Sequence, residues 1–332
     1  MKILSRATLC LALLALLGAS TPPQSYQAPE HHSDNPLYTN LRSGNLAAAD
    51  AGTQLELARP VRWALDEHRK LDRALAGLAP QRKGMVDAYV ISIALDSDPV
   101  FGREAREAAK VLARRYDAQG RTIVFAGSDG SADSPYPRGS PENLSAALAR
   151  VAELMDPKED VLVLYTTSHG APVGVVYQDG DNGFGLISPK WLAGTLKELG
   201  IQNRLLIVSA CFAGVFVPAL SSDTTAILTA ASSKHTSFGC VSDNDWTFFG
   251  DAMINHALRA PQPLAAAAAQ ARVLIGEWEA KGKLIPSEPQ ARFGKDVGTW
   301  LGPLEARSPA TATPEVGRPA ILSLGAASEN NH

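Results

Sequence analysis

Two side chains of the 332-residue chain stand out by type and setting. His169 follows the apolar run VLVLY in VLVLYTTSHG, and Cys211 follows LLIV in LLIVSACFAG. Each is trailed closely by glycine, Gly170 at once and Gly214 three residues on. A thiol and an imidazole brought together are the minimum for nucleophilic acyl transfer. A free thiol with a pKa near 8.5 is mostly protonated at neutral pH, and a neighbouring imidazole raises its thiolate fraction or takes its proton on attack. The imidazole then protonates the leaving amine. The tetrahedral intermediate needs donors for its oxyanion, and the backbone N–H groups of Gly170 and Cys211 are candidates, Gly170 permitting close approach because it lacks a side chain. Taken singly, a cysteine at a strand end is more often core filler and a His-Gly pair more often a turn. Together at one edge they favour chemistry.

For the two to meet, the apolar runs must be neighbouring strands. Four segments are apolar on both faces, as buried parallel strands are: 88–95 (AYVISIAL), 122–126 (TIVFA), 161–165 (VLVLY) and 205–208 (LLIV), with 226–230 (AILTA) as a fifth. Helical stretches separate them at 103–115, 142–154 (opened by Ser140-Pro141-Glu142), 189–199 (Ser188 as N-cap, closed by Gly200), 246–258 and 264–280. Residues 54–78 read as an extra helical region ahead of the sheet. Such alternation predicts right-handed crossovers and an α/β fold with a mostly parallel central sheet covered by helices on both faces. Chemistry in such folds lies beyond the carboxyl ends of the strands, where His169 and Cys211 fall.

TTSHG and SACFAG after consecutive apolar strands resemble the His-Gly and Ala-Cys-x-x-Gly blocks of caspase-like cysteine peptidases, most closely the bacterial members of the legumain family. The likeness extends to 236–240 (TSFGC), 246–252 (WTFFGDA) and 287–290 (SEPQ), covering roughly residues 85–300. It implies a caspase-like sandwich, hydrolysis of peptide bonds in a peptide or protein substrate, and no metal or organic cofactor. On that resemblance His169 is the base, Cys211 the nucleophile, and Gly170 with the Cys211 amide the oxyanion hole. The same dyad would also serve a transpeptidase or transamidase, and a non-catalytic binding module could retain the fold. Departures matter. Where relatives that cut after Asn or Asp carry an acidic residue two before the nucleophile, this chain has Ser209, and the loop after the first strand is Asp96-Ser97-Asp98-Pro99. Asn/Asp specificity therefore does not carry over. Asp96 is a candidate for orienting His169, although an Asp-Ser-Asp-Pro loop also suits a plain turn. Ser209, Ser232 and Ser233 are candidates for the substrate pocket.

Composition narrows the alternatives. With 45% hydrophobic and 20% charged residues the chain can bury a sizeable core; its net charge of −3 points to no partner class, and no Lys/Arg cluster is dense enough to suggest the basic face of a nucleic-acid binder. His235 and His256 lack ligand-like spacing, Asp243 and Asp245 read as a solvated loop, and neither a G-x-S-x-G elbow nor a phosphate-binding glycine loop occurs. Lys2 and Arg6, an apolar stretch over 7–17 and Gly18-Ala19-Ser20 form the layout of a signal peptide, too short to span a bilayer, which needs about 20 apolar residues. The expectation is export to the periplasm or beyond, without a stable membrane span in the mature protein; an uncleaved segment would leave it at the inner membrane. Removal of Cys10 leaves Cys211 and Cys240, either a disulfide or a working thiol beside a structural one. The organisation expected is a signal peptide at 1–20, a flexible linker at 21–45 containing His31 and His32, an N-terminal helical region at 46–84, the peptidase domain at 85–304 and a flexible tail at 305–332.

Overall fold

The computed structural model of the protein describes residues 43–127 and 134–324. The segment expected to be a signal peptide, nearly all of the expected linker with His31 and His32, and the end of the expected tail lie outside the described residues. Ahead of the central sheet come α1 (Ser43–Asp50), β1 (Gln54–Glu56) and α2 (Val61–Ala76). The sheet itself uses β2 (Ala88–Ala94), β3 (Thr122–Phe125), β4 (Val161–Thr167), β8 (Arg204–Ser209), β9 (Thr225–Thr229) and β10 (Gln290–Phe293). Their spatial order is β10-β9-β8-β4-β2-β3, parallel throughout except for the antiparallel edge strand β10. The α/β sandwich expected of the caspase-like group is the observed fold, and β4 and β8 are direct neighbours.

Why the strands read as continuous apolar runs is now visible: every residue of β2, β4 and β9 is buried. Alternate residues feed two cores. Ala88, Val90, Val163, Tyr165 and Ile207 meet α3 (Pro99–Arg115), the helix around 248–256, α7 (Leu264–Gly282) and α8 (Gly298–Ala306) on one face. Tyr89, Ile91, Leu162, Leu164 and Leu206 meet α4 (Pro141–Leu154), α5 (Pro189–Glu198) and α6 (Phe216–Leu220) on the other. The proposed caps hold: Ser140 Oγ accepts from Asn143 N–H at 3.1 Å and Ser188 Oγ from Trp191 N–H at 3.0 Å.

Four features differ from expectation. The glycine-rich stretch between β4 and α5 folds into a second, antiparallel sheet of β5 (Gly170–Ala171), β6 (Gly174–Asp179) and β7 (Gly183–Ile187). The region ahead of the domain is only partly helical, because residues 54–56 form β1 and pair with β7 as the outer strand of that sheet. The C-terminal segment is not a free tail through residue 324. Val316 C=O accepts from Trp246 Nε1 at 2.8 Å, and the N–H of the buried Ala320 donates to Asp251 Oδ2 at 2.7 Å. The helix expected over 246–258 is shorter and wider-wound, with a π-helical stretch at Gly250–His256.

Candidate active site

Parity along the strands assembles the site. Ala94, Thr167 and Ser209 stand level across β2, β4 and β8. Side chains alternate with a period of two, so two residues further along each strand Asp96, His169 and Cys211 continue the same row on the α3 side. A parallel bridge between Asp96 and Gln178, with Ser97 N–H to Gln178 C=O at 2.9 Å, carries β2 past its nominal end. The row just below is buried and polar. Glu104 of α3, fully buried, accepts from the hydroxyls of Tyr165, Thr167 (2.7 Å) and Ser209 (3.0 Å) and from Thr247 N–H (2.8 Å).

The imidazole of His169 is held from two sides. Phe101 packs edge-on against it with ring centroids 5.1 Å apart, and Asp98 Oδ2 lies 3.6 Å from Nε2. Burial disfavours the imidazolium, but the Asp98 hydrogen bond and the charges of Asp96, Asp98 and Cys211 outweigh it, so His169 titrates above its ordinary value. Ligand atoms of Asp96, Asp98 and His169 lie within 4.8 Å of one another, close enough to reach one metal ion. The pairing of Asp98 with His169 gives the cluster a base-orienting geometry. Asp98 is thus the carboxylate paired with the imidazole, and Asp96, the residue the sequence suggested, adds its charge.

The thiol is surrounded by donors. Cys211 Sγ accepts from Ser237 N–H at 3.3 Å, and both Ser237 oxygens lie 3.6 Å away. Cys240 adds a side-chain hydrogen bond to the same sulfur. That bond is the largest influence on Cys211. Burial opposes it, the Ser237 contacts and the His169 charge support it, and the thiol is brought down to about 6. Cys240, donating to a neighbouring thiolate and buried, is pushed well above its ordinary range. Both cysteines are free, so of the two alternatives the disulfide is not the state described. Cys240 nonetheless lies near enough to act on the Cys211 thiol.

Backbone geometry supports an oxyanion site. His169 C=O accepts from Val176 N–H at 3.0 Å, which makes that pair hydrogen-bonded; the next pair, Gly170 with Val175, is then the non-bonded one. The Gly170 N–H therefore points away from β6. Among the described residues the Cys211 N–H donates to nothing. A Cβ on Gly170 would fall 2.0 Å from Cys211 C=O, so glycine is what lets the turn after His169 close on Cys211. Phe212, in the left-handed region at φ 56°, makes the sharp turn that presents Cys211, and its N–H is fixed by His235 C=O at 2.9 Å.

The candidate pocket serines fare differently. Ser209 is buried with its hydroxyl committed to Glu104, and Thr247 Oγ1 lies 3.2 Å away. Ser232 is buried and pairs with His235 Nδ1 at 3.1 Å. Ser233 is exposed, and its backbone abuts Gly214 behind the nucleophile. Sequence reasoning did not single out Asp98, Ser237 or Cys240 for roles here, although the last two belong to the TSFGC block.

Residues 139–271 match the sequence model of the Peptidase C13 family, a stretch that contains both His169 and Cys211. That stretch is similar to the legumain-type (C13) cysteine peptidases. Among solved structures, the chain is similar to the crystal structure of caspase-1 from Spodoptera frugiperda, at 13% identity over 65% of this chain and 89% of that one, with a TM-score of 0.43. No curated protein matches it. The matched stretch places His169 and Cys211 just past the ends of the neighbouring strands β4 and β8.

Proposed function

We propose that the protein is a cysteine endopeptidase working through a Cys211–His169 dyad, outside the cytoplasm. The observation that carries this reading is the Cys211 sulfur receiving the Ser237 N–H at 3.3 Å just past β8, beside the strand whose end bears His169 braced by Asp98 at 3.6 Å, an environment that lowers the thiol to about 6. Thiolate and imidazolium then coexist near neutrality. The thiolate attacks the scissile carbonyl, and the oxyanion faces the N–H groups of Gly170 and Cys211. His169 delivers its proton to the departing amine, leaving a thioester on Cys211, and then takes a proton from the water that hydrolyses it. Export rests on the positive-then-apolar pattern of residues 1–20; among the described residues no helix is long and apolar enough to cross a membrane.

Purified protein screened against a library of internally quenched peptides tests the reading. Wild type should cleave a subset of sequences, and Cys211→Ala and His169→Ala should lose that cleavage by at least the roughly 10²-fold that an acid–base catalyst supplies. Equal cleavage by Cys211→Ala would assign the activity elsewhere and end the proposal. Fractionation of producing cells, with the N-terminus sequenced, tests export: a mature chain starting near residue 21 outside the cytoplasm is expected, and a full-length cytoplasmic chain would overturn it.

A further inference from the structure

Cys240 sits where no substrate group has been assigned, yet it lies three residues beyond Ser237, whose N–H donates to the Cys211 sulfur at 3.3 Å, and it packs against the cluster of Phe101, the ring that supports His169. We propose that Cys240 is a resolving thiol: when Cys211 is oxidised, Cys240 captures it as an intramolecular disulfide, which stores the enzyme in a reversible inactive form. The idea rests on the reading of Cys211 as the nucleophile, while its chemistry can be read independently of peptidase activity.

Position is the first support. The loop bearing Cys240 is pinned at both ends. Ser237 N–H donates to Cys211 Sγ at 3.3 Å, so the loop enters at the nucleophile. Beyond Cys240, Asn244 Nδ2 returns to Gly239 C=O at 2.9 Å, and Arg103 of α3 grips the carbonyls of Ser242 and Asn244. Gly239, at φ +90°, has space for no side chain, since a Cβ would stand 2.9 Å from Phe248 N. The turn therefore holds Cys240 in one place, packed beside Phe101 and Val100 against the edge-on support of His169. A loop pinned on Cys211 at one end and on α3 at the other keeps the Cys240 thiol near the nucleophile, which is what capture requires.

Chemistry is the second support. A nucleophile held as thiolate near neutrality reacts with hydroperoxides, and an unprotected sulfenic acid proceeds to sulfinic acid, which is irreversible. With hydrogen peroxide as oxidant, the Cys211 thiolate attacks one oxygen, the O–O bond breaks, and Cys211 sulfenic acid forms with release of hydroxide. Cys240 sulfur then attacks the Cys211 sulfur, the S–O bond breaks, and the hydroxyl leaves as water with the Cys240 proton. Both thiols are oxidised together by two electrons, and peroxide is reduced to water. A dithiol reductant reverses the step by exchange.

The test is peptide mapping of the full protein under non-reducing conditions after graded hydrogen peroxide, with Cys240→Ala and Cys240→Ser alongside. Wild type should yield a crosslinked peptide pair joining Cys211 to Cys240, and alkylation of Cys211 should return nearly completely after dithiothreitol. In both variants Cys211 should pass to sulfinic and sulfonic acid, with at least a tenfold lower recoverable thiol fraction. Circular dichroism of each variant confirms the fold before treatment, and the crosslink in wild type does not depend on the variants folding. Wild-type Cys211 reaching sulfinic acid with no crosslink, or recovering equally without Cys240, would overturn the proposal. A crosslink in a protein that cleaves no peptide would leave the disulfide standing and remove the endopeptidase reading instead.

Discussion

At Cys211 and His169 the two titrations run in opposite directions, and their order sets the pH profile. Cys211 is thiol below about pH 6 and thiolate above it, whereas His169 keeps its proton to a pH above its ordinary value. The rate of iodoacetamide labelling at Cys211 should therefore rise through about pH 6 rather than near 8.5. Peptide cleavage should show the same acid limb, with an alkaline limb where His169 loses its proton. His169→Ala removes a positive charge from beside the sulfur, so the labelling limb should move upward. A limb near 8.5 in wild type would show that the thiol is not activated. The two carboxylates after β2 separate by the same measurement. Asp98 contacts Nε2, so Asp98→Asn should lower the alkaline pKa and lose part of the roughly 10²–10⁴-fold acid–base contribution in kcat with little change in KM. Asp96→Asn should shift the alkaline limb with a smaller loss of kcat, because Asp96 reaches His169 through charge. The reverse ranking would return the orienting role to Asp96. Sequence could place an acid near His169 but not choose between residues two apart in one turn, since the choice depends on how far the parallel bridge to Gln178 extends β2.

Among the elements, α3 does more than cover the sheet. Its Glu104 lies beneath the catalytic row and is the common acceptor for Tyr165, Thr167 and Ser209 hydroxyls on two strands and for Thr247 N–H. It thereby locks β4, β8 and the start of the 248–256 helix in one register. Gly250 is part of that lock, because a Cβ there would fall 2.0 Å from Glu104 Oε2. Glu104→Ala would leave four buried donors without their acceptor; each such loss costs about 1–3 kcal/mol, softened by relaxation, so a total of roughly 3–5 kcal/mol is expected. Urea unfolding should show it as a lower midpoint with an unchanged slope, and Cys211 labelling should slow in the variant that remains folded. A midpoint within about 0.5 kcal/mol of wild type would mean that water replaces the carboxylate at no cost. None of this was legible beforehand. The strands and helices followed from apolar runs and caps, and His169 and Cys211 from their places after those runs. Glu104 reads as an ordinary polar position on an amphipathic helix, and only the sheet above it reveals that its face is inward. Ser209 was misjudged for the same reason: two residues before Cys211 puts it on the nucleophile's side of the strand, but under α3 instead of in the cleft.

Across the whole molecule the second sheet links the N-terminal segment to the base. His169 C=O is bonded to Val176 of β6, and Gln178 of β6 exchanges hydrogen bonds with Leu95 and Ser97 in the strand extension that leads to Asp98. β6 pairs with β7, and β7 is edged by β1. The outer corner is clamped by charge: Glu56 accepts from Arg59 at 2.7 Å, Arg138 at 2.7 Å and Tyr177 at 2.8 Å, while Arg59 also reaches Asp179 at 2.7 Å. Trp63 lies beneath both guanidinium groups, 4.3 Å and 4.9 Å from its ring centre. Farther back, Gly52 passes so close to Trp191 of α5 that a Cβ would stand 2.2 Å from the indole nitrogen. A segment of this kind could in principle be an inhibitory propeptide or a structural strap, and the geometry distinguishes them. β1 lies at the far edge of the small sheet, with β7 and β6 between it and His169. Removing residues 43–60 from the mature protein should therefore uncover the edge of β7 without opening the cleft. Hydrogen exchange should rise in β6 and β7, and kcat should fall as His169 and Asp98 lose their fixed backbone. An inhibitory segment would give the opposite result, an increase in kcat/KM on removal. Glu56→Gln is the milder form of the same experiment, weakening the clamp with β1 in place, and it should shift exchange and kcat in the same direction by a smaller amount.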